Sequence, residues 1–295
     1  TALGRYVLFR ARFVTEAEEL YVAVDPEAGL VDVHLFPAGE GAQLLLQAAL
    51  QLQHPHVAVA LDAGGAERDL YLVEEHVEGV PMDALLRHGP LPGEVFLHVA
   101  ATLAAALAEA ERVAEAFPGL SLCVPRAGDV FVSWAGHVKM SACALLLPSG
   151  LVGPEPLAAL GGPRPRPASG RAPQALGSGA AMAGLMSELL GPPTVNDDAA
   201  TKAGRQLMQM MSKSRVLPGD YRELHELAVA ALRRVAQSPT GEFVAAKLAD
   251  LVELRAAAAA VAESELIRAG AAALTLPVGA PRVPGVRSFL ATREA

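Results

Sequence analysis

The first eighty residues alternate. Apolar and polar positions trade places in YVLFRARF (6–13), ELYVAVD (19–25), LVDVHLF (30–36), VAVALDAG (57–64) and DLYLVEEHV (69–77), with turn-forming DPEAG and DAGGAE at two of the junctions. Period two, carried by Val, Leu and aromatic residues, predicts five β-strands, because successive strand side chains point to opposite faces. One segment breaks the rhythm. EGAQLLLQAALQLQHPH (40–56) is apolar at helical spacing and predicts a helix ending before Pro55.

Past Gly79 the period lengthens. LPGEVFLHVAATLAAALAEAERVAEAF (91–117) predicts a long helix with Pro92 near its first turn. Two short strands are expected at DVFVSW (129–134) and HVKMS (137–141), joined by a turn at Ala135-Gly136. Residues 148–179, rich in Gly, Pro and Arg, predict a loop holding one short helix. AAMAGLMSELLG (180–191), residues 197–211, YRELHELAVAALRRVAQ (221–237) and residues 241–270 predict further helices, and Pro277, Pro281 and Pro284 mark an extended tail. The fold class is therefore α+β, with an antiparallel sheet lobe, a connector and a mainly helical lobe.

Composition narrows the possibilities. Of 295 residues 52% are hydrophobic but only 4% aromatic, so the core rests on many small aliphatic contacts. A formal net charge of -8 argues against binding nucleic acid or an anionic membrane. Two cysteines, Cys123 and Cys143, are too few for a disulfide framework and suit a reducing compartment. No apolar run of about 18 residues appears, so no membrane span is expected. TALGRYVLFRARF lacks the apolar stretch of a signal peptide, which makes a cytoplasmic chain, or the cytoplasmic part of a longer one, the expectation.

Element order and local residues together resemble a bacterial serine/threonine protein kinase domain over roughly residues 4–260. GRYVLFRARF followed by ELYVAVDPEAGLVDVHL is similar to the first three strands of that family without a gap. LQLQHPHVAVALDAG resembles the end of helix C with its HPN-type turn and fourth strand, and YLVEEHVEGVPMDALLRHGPLP resembles the fifth strand, hinge and helix D. GHVKMSACAL looks like the strand leading to the DFG position, Gly153-Pro154-Glu155 like the APE motif, and AAMAGLMSELLG like helix F. The resemblance implies a kinase-like N-lobe at 1–79, a kinase-like helical C-lobe at 80–262 and a C-terminal extension at 263–295.

Kinase chemistry needs a glycine-lined phosphate loop, a lysine, two metal-binding side chains and a base. On the gapless spacing the three glycine positions fall on Phe13, Thr15 and Glu18, and Glu16, Glu18 and Glu19 would repel a triphosphate. The lysine position falls on His34, shorter and expected to be mostly neutral at pH 7. Asp32, two residues earlier and on the same face, is expected to cost desolvation with no obvious partner. The helix C acid falls on Leu45, the base on Val124 within Leu122-Cys123-Val124, the metal-binding asparagine on Asp129 and the DFG aspartate on Ala142. The stretch from there to Glu155 is too short for an ordinary activation loop. In the family the APE glutamate pairs with the arginine of a D-P-x-x-R setting, which here resembles Ser238 to Glu242, so Glu155 would face another acid: either the register slips there or Glu155 has another partner. Ala49, Leu122 and Cys143 keep the apolar link between the lobes.

The resemblance thus implies a degenerate kinase, a pseudokinase that scaffolds or allosterically regulates protein partners, with possible homodimers and no cofactor. The alternative is an unconventional phosphotransferase or nucleotidyltransferase using Asp129, His34 and Asp32. A further variant is a metal-independent nucleotide sensor holding adenine on the hinge backbone at Glu75, His76 and Val77. Asp129 remains the weak metal candidate. Cys123 and Cys143 read as small hydrophobes before a redox pair, and His54 and His56 as a cap before a metal site. Arg164, Arg166 and Arg171 read as a solvated loop before a docking segment.

Overall fold

The computed structural model describes residues 2–14, 18–66, 69–148, 178–214, 221–235 and 244–253. The alternating segments form a sheet: β1 (Ala2–Leu3), β2 (Tyr6–Val14), β3 (Glu19–Asp25), β4 (Gly29–Pro37), β5 (Ala60–Ala66) and β6 (Asp69–Glu75). Its order is β1-β2-β3-β4-β6-β5, every neighbouring pair antiparallel. The β3–β4 turn shows how the sequence builds it. The Asp25 carboxylate accepts the backbone N–H groups of Glu27 (2.7 Å) and Ala28 (3.3 Å), and Gly29 closes the turn at φ 82°. Helix α1 (Glu40–Gln51) interrupts the strands and turns Leu45, Leu46, Ala48 and Ala49 inward. It ends before Pro55, as expected, and His54 to His56 form a turn in which His54 Nδ1 accepts the His56 N–H at 3.3 Å.

Strand β4 is buried on both faces. Val31, Val33 and Leu35 join Tyr6, Leu8, Ala23 and Val73 in a small cluster on one face. Asp32, His34 and Phe36 therefore face the other way, and Phe36 enters the main core with Leu72 and α1. Two polar residues thus point from a central strand to where the second lobe packs.

That lobe begins with β7 (Gly79–Pro81) and α2 (Met82–Leu86) and is organised around α3 (Gly93–Ala116), which buries side chains from Val95 to Val113. Then come β8 (Leu120–Leu122), a 3-10 turn (Ala127–Asp129), β9 (Val130–Ser133), β10 (Val138–Met140), α4 (Ala142–Leu145) and β11 (Leu146–Pro148). α5 (Ser178–Leu190), α6 (Ala199–Ser214), α7 (Tyr221–Val235) and a helical segment at 244–253 complete the described residues. The expected turn between β9 and β10 is present, with Gly136 at φ 78°. The sequence reading missed β7, which pairs with β9, and the β8–β11 pair. Such three-residue strands are too short to show a period. By length and composition α3 could cross a membrane (window hydropathy 1.3), which the apolar-run reading did not anticipate, but 72% of that window is buried within the fold.

The architecture is α+β: a six-stranded antiparallel sheet with one helix, followed by a mainly helical lobe. The APE-like Glu155, the Arg164, Arg166 and Arg171 loop, Ser238 to Glu242 and the 263–295 extension lie outside the described residues, as do Thr15 and Glu16.

Candidate functional site

The site grows from the inward face of β4. Antiparallel register sets Asp32 directly opposite Glu74 of β6, and the next inward residue, His34, opposite Leu72 and Leu20. Two carboxylates facing each other across a buried ladder repel, and both are nearly inaccessible, Asp32 at 8% and Glu74 at 1%. Each survives because it has cationic or donor partners.

Asp32 takes the Nδ1–H of His76 at 2.9 Å and lies 3.6 Å from the Arg12 guanidinium. The expectation that it would lack a partner is wrong. The reason is an irregularity in β2: register slips between Ala11 and Phe13, and a bulge of this kind re-aims the intervening side chain. Arg12 stacks its guanidinium 5.0 Å from the centroid of the Phe131 ring in β9, so both lobes hold it. Burial pushes the Asp32 carboxyl up, but Arg12, His76 and His34 outweigh it and its pKa is lowered.

Glu74 accepts the backbone N–H of Ala142 at 3.0 Å and lies 3.3 Å from His34 Nε2. The other ring nitrogen, Nδ1, is 2.5 Å from Glu18 Oε1. The Cys143 sulfur completes the surroundings of the ring, which also stacks on Phe36 with centroids 6.2 Å apart. Burial alone would lower the pKa of His34. Cys143, Glu18 and Glu74 overcome it and hold the ring well above its usual value. The two carboxylates are the durable cause, since burial pushes the Cys143 thiol up to about 11 and leaves it neutral near pH 7. The expectation of a neutral imidazole is corrected accordingly: His34 is a cation between two acids.

The remaining sequence candidates scatter. Leu45 is buried on α1, Val124 packs against the core, and Ala142, fully buried, serves through its backbone N–H. Asp129 caps its own 3-10 turn by accepting the Arg126 N–H at 3.1 Å. Among the described residues the metal-capable cluster is Glu18, His34 and Cys143, which does not include Asp129. At the hinge, the Glu75 N–H is bonded to Val59 O (2.9 Å), and the Glu75 carboxylate accepts Val59 N–H and pairs with Lys139. His76 is committed to Asp32, and Val77 is half-buried. Glu18, expected to repel phosphate, is turned onto His34. Cys123 and Cys143 are both free thiols. His56 donates through Nδ1 to Val138 O at 3.1 Å, a structural tie between the lobes.

Arg12, Glu74 and the sulfur of Cys143 are the residues that sequence reading missed as members of the site. Glu74 was findable: a glutamate on the inward phase of LVEEH, in register with Asp32, needs a cation. Arg12 was not, because the bulge that aims it has no local sequence signature.

The side chains therefore form two linked buried groups, Arg12–Asp32–His76 and Glu18–His34–Glu74–Cys143, at the junction of the lobes. Their chemistry is charge neutralisation and proton holding, with a thiol and an imidazole of metal-ligating type. No protein-family model and no curated protein matches the chain. Among solved structures it is similar to the crystal structure of the Mycobacterium tuberculosis PknI kinase domain, with 16% identity and a TM-score of 0.46 across 87% of this chain and 98% of that one.

Proposed function

We propose that this chain is a pseudokinase, a non-catalytic module that scaffolds or allosterically regulates protein partners. One observation carries the reading. The inward face of β4 and β6, where the resemblance places lysine and nucleotide, is filled by the mutually satisfied Arg12–Asp32–His76 and Glu18–His34–Glu74 groups. A nucleotide phosphate entering there would bring negative charge against the carboxylates of Glu18, Asp32 and Glu74 and would have to break their existing pairs. Replacement of the base position by Val124 and of the DFG aspartate by Ala142 supports the same reading, because neither side chain accepts a proton or binds a cation. On this reading the chain divides into 1–79, 80–262 and a C-terminal extension at 263–295.

A thermal-shift titration with ATP, with and without magnesium, tests it. A ligand that binds only the folded state raises the melting temperature, and the expected result is no shift at millimolar ATP under either condition. A magnesium-dependent shift lost in Asp129→Ala would overturn the reading in favour of a nucleotide enzyme. A magnesium-independent shift would favour a nucleotide sensor.

A further inference from the structure

The cluster around His34 has a second property that charge neutralisation does not require. We propose that Glu18, His34 and Cys143 form a binding site for a borderline-soft divalent cation of the zinc class, at the junction of the two lobes. One ligand atom from each of the three residues lies within 4.8 Å of the other two, the compactness needed for atoms sharing one metal ion. A thiolate, an imidazole and a carboxylate make a donor set that zinc accepts, whereas magnesium prefers oxygen donors throughout.

The surroundings are built as a metal site requires. His34 presents Nδ1 toward Glu18 at 2.5 Å, and its Nε2 lies 3.3 Å from Glu74 Oε2. The other Glu74 oxygen is fixed by the Ala142 N–H at 3.0 Å. A carboxylate holding the far nitrogen of a ligating histidine fixes the tautomer and the ring orientation. Cys143 is held in turn by its own backbone N–H, which bonds to Ser141 Oγ at 3.1 Å. The ligands come from the approach to β3, from β4 and from α4, so one ion would bridge the lobes.

Charge points the same way. Three buried or half-buried carboxylates, Glu18, Asp32 and Glu74, converge on a region where Arg12 and the His34 ring supply the facing positive charge. On binding, the metal forms bonds to sulfur, nitrogen and oxygen, and the proton of the Cys143 thiol leaves for solvent. A water takes the fourth position. The site holds whether or not the chain binds nucleotide.

The test uses the full chain, dialysed against a chelator and titrated with Co²⁺, then with Zn²⁺. The expected result is one cobalt per chain, a thiolate-to-cobalt charge-transfer band, the strong visible bands of four-coordinate cobalt, and bleaching of both when zinc displaces it. Zinc raises the melting temperature, and binding releases protons. Cys143→Ser abolishes the charge-transfer band while Cys123→Ser retains it. Glu74→Gln weakens binding about 10–100-fold through the lost orientation of His34. Absence of the charge-transfer band in the unaltered chain overturns the proposal, as does its survival in Cys143→Ser. The unaltered-chain titration is decisive even where a variant fails to fold.

Discussion

Glu74 is the residue whose removal tests the buried network most sharply. Glu74→Ala orphans the Ala142 N–H, which is fully buried and loses its 3.0 Å acceptor. A buried donor left without a partner costs about 1–3 kcal/mol. The substitution also removes one of two carboxylates flanking the His34 cation, and breaking a buried pair from one side costs about 3–5 kcal/mol. Two terms reduce the total: Glu18 still pairs with His34, and Asp32 loses the like charge opposite it. The expected net loss is about 3 kcal/mol. Glu74→Gln keeps the carbonyl acceptor for Ala142 and loses only the charge, for an expected loss of about 1–2 kcal/mol. Urea unfolding in the presence of a chelator reads both, with the midpoint of Glu74→Ala falling by about 1 M at an unchanged m of roughly 3 kcal/mol/M. A Glu74→Ala variant within about 1 kcal/mol of the unaltered chain, or equal to Glu74→Gln, would refute the reasoning, because the Ala142 bond and the charge pairing could not both be as described.

Gly136→Ala should destabilise by at least about 2 kcal/mol, since φ 78° disfavours a side chain and the new Cβ would lie 1.8 Å from the Ala245 carbonyl oxygen; hydrogen exchange should rise first in residues 244–253. Tyr6→Phe removes the 2.6 Å bond from the buried hydroxyl to the Asp62 carboxylate and should cost about 1–3 kcal/mol in the same urea assay. Burial lowers the His56 pKa to about 4, helped by the neighbouring His54, His98 and His137, so the unfolded chain binds the extra proton between pH ~6.5 and ~4. Stability from His56 is thus full above pH ~6.5 and falls as pH drops through that window, by about 1–2 kcal/mol after allowance for solvent screening of a partly exposed ring, and His56→Gln should flatten that part of the stability–pH profile.

Much of this fold is written in local patterns. Period two over 6–13, 19–25, 30–36 and 69–77 places four strands within about two residues of their observed limits, and the long apolar 91–117 stretch places α3. Those segments are long enough for burial to impose a period. The β7, β8 and β11 strands are three residues each and exist only because a partner strand lies across from them, so no local signal records them. The site divides in the same way. Strand alternation puts Asp32 and His34 on one face from sequence alone. Their partners arrive through register (Glu74), a bulge (Arg12) and a one-turn helix of the other lobe (Cys143), all non-local. Local pattern therefore locates the polar residues of β4 and leaves out the partners that bond to them.

On the proposed reading, the buried carboxylate–cation network stands where phosphoryl-transfer chemistry would be. Incubating the chain with magnesium and γ-phosphate-labelled ATP, and following label into protein and into free phosphate, tests it most directly. The account predicts rates indistinguishable from those in buffer without the chain. Label transfer that depends on the chain and is abolished by Asp129→Asn would contradict it.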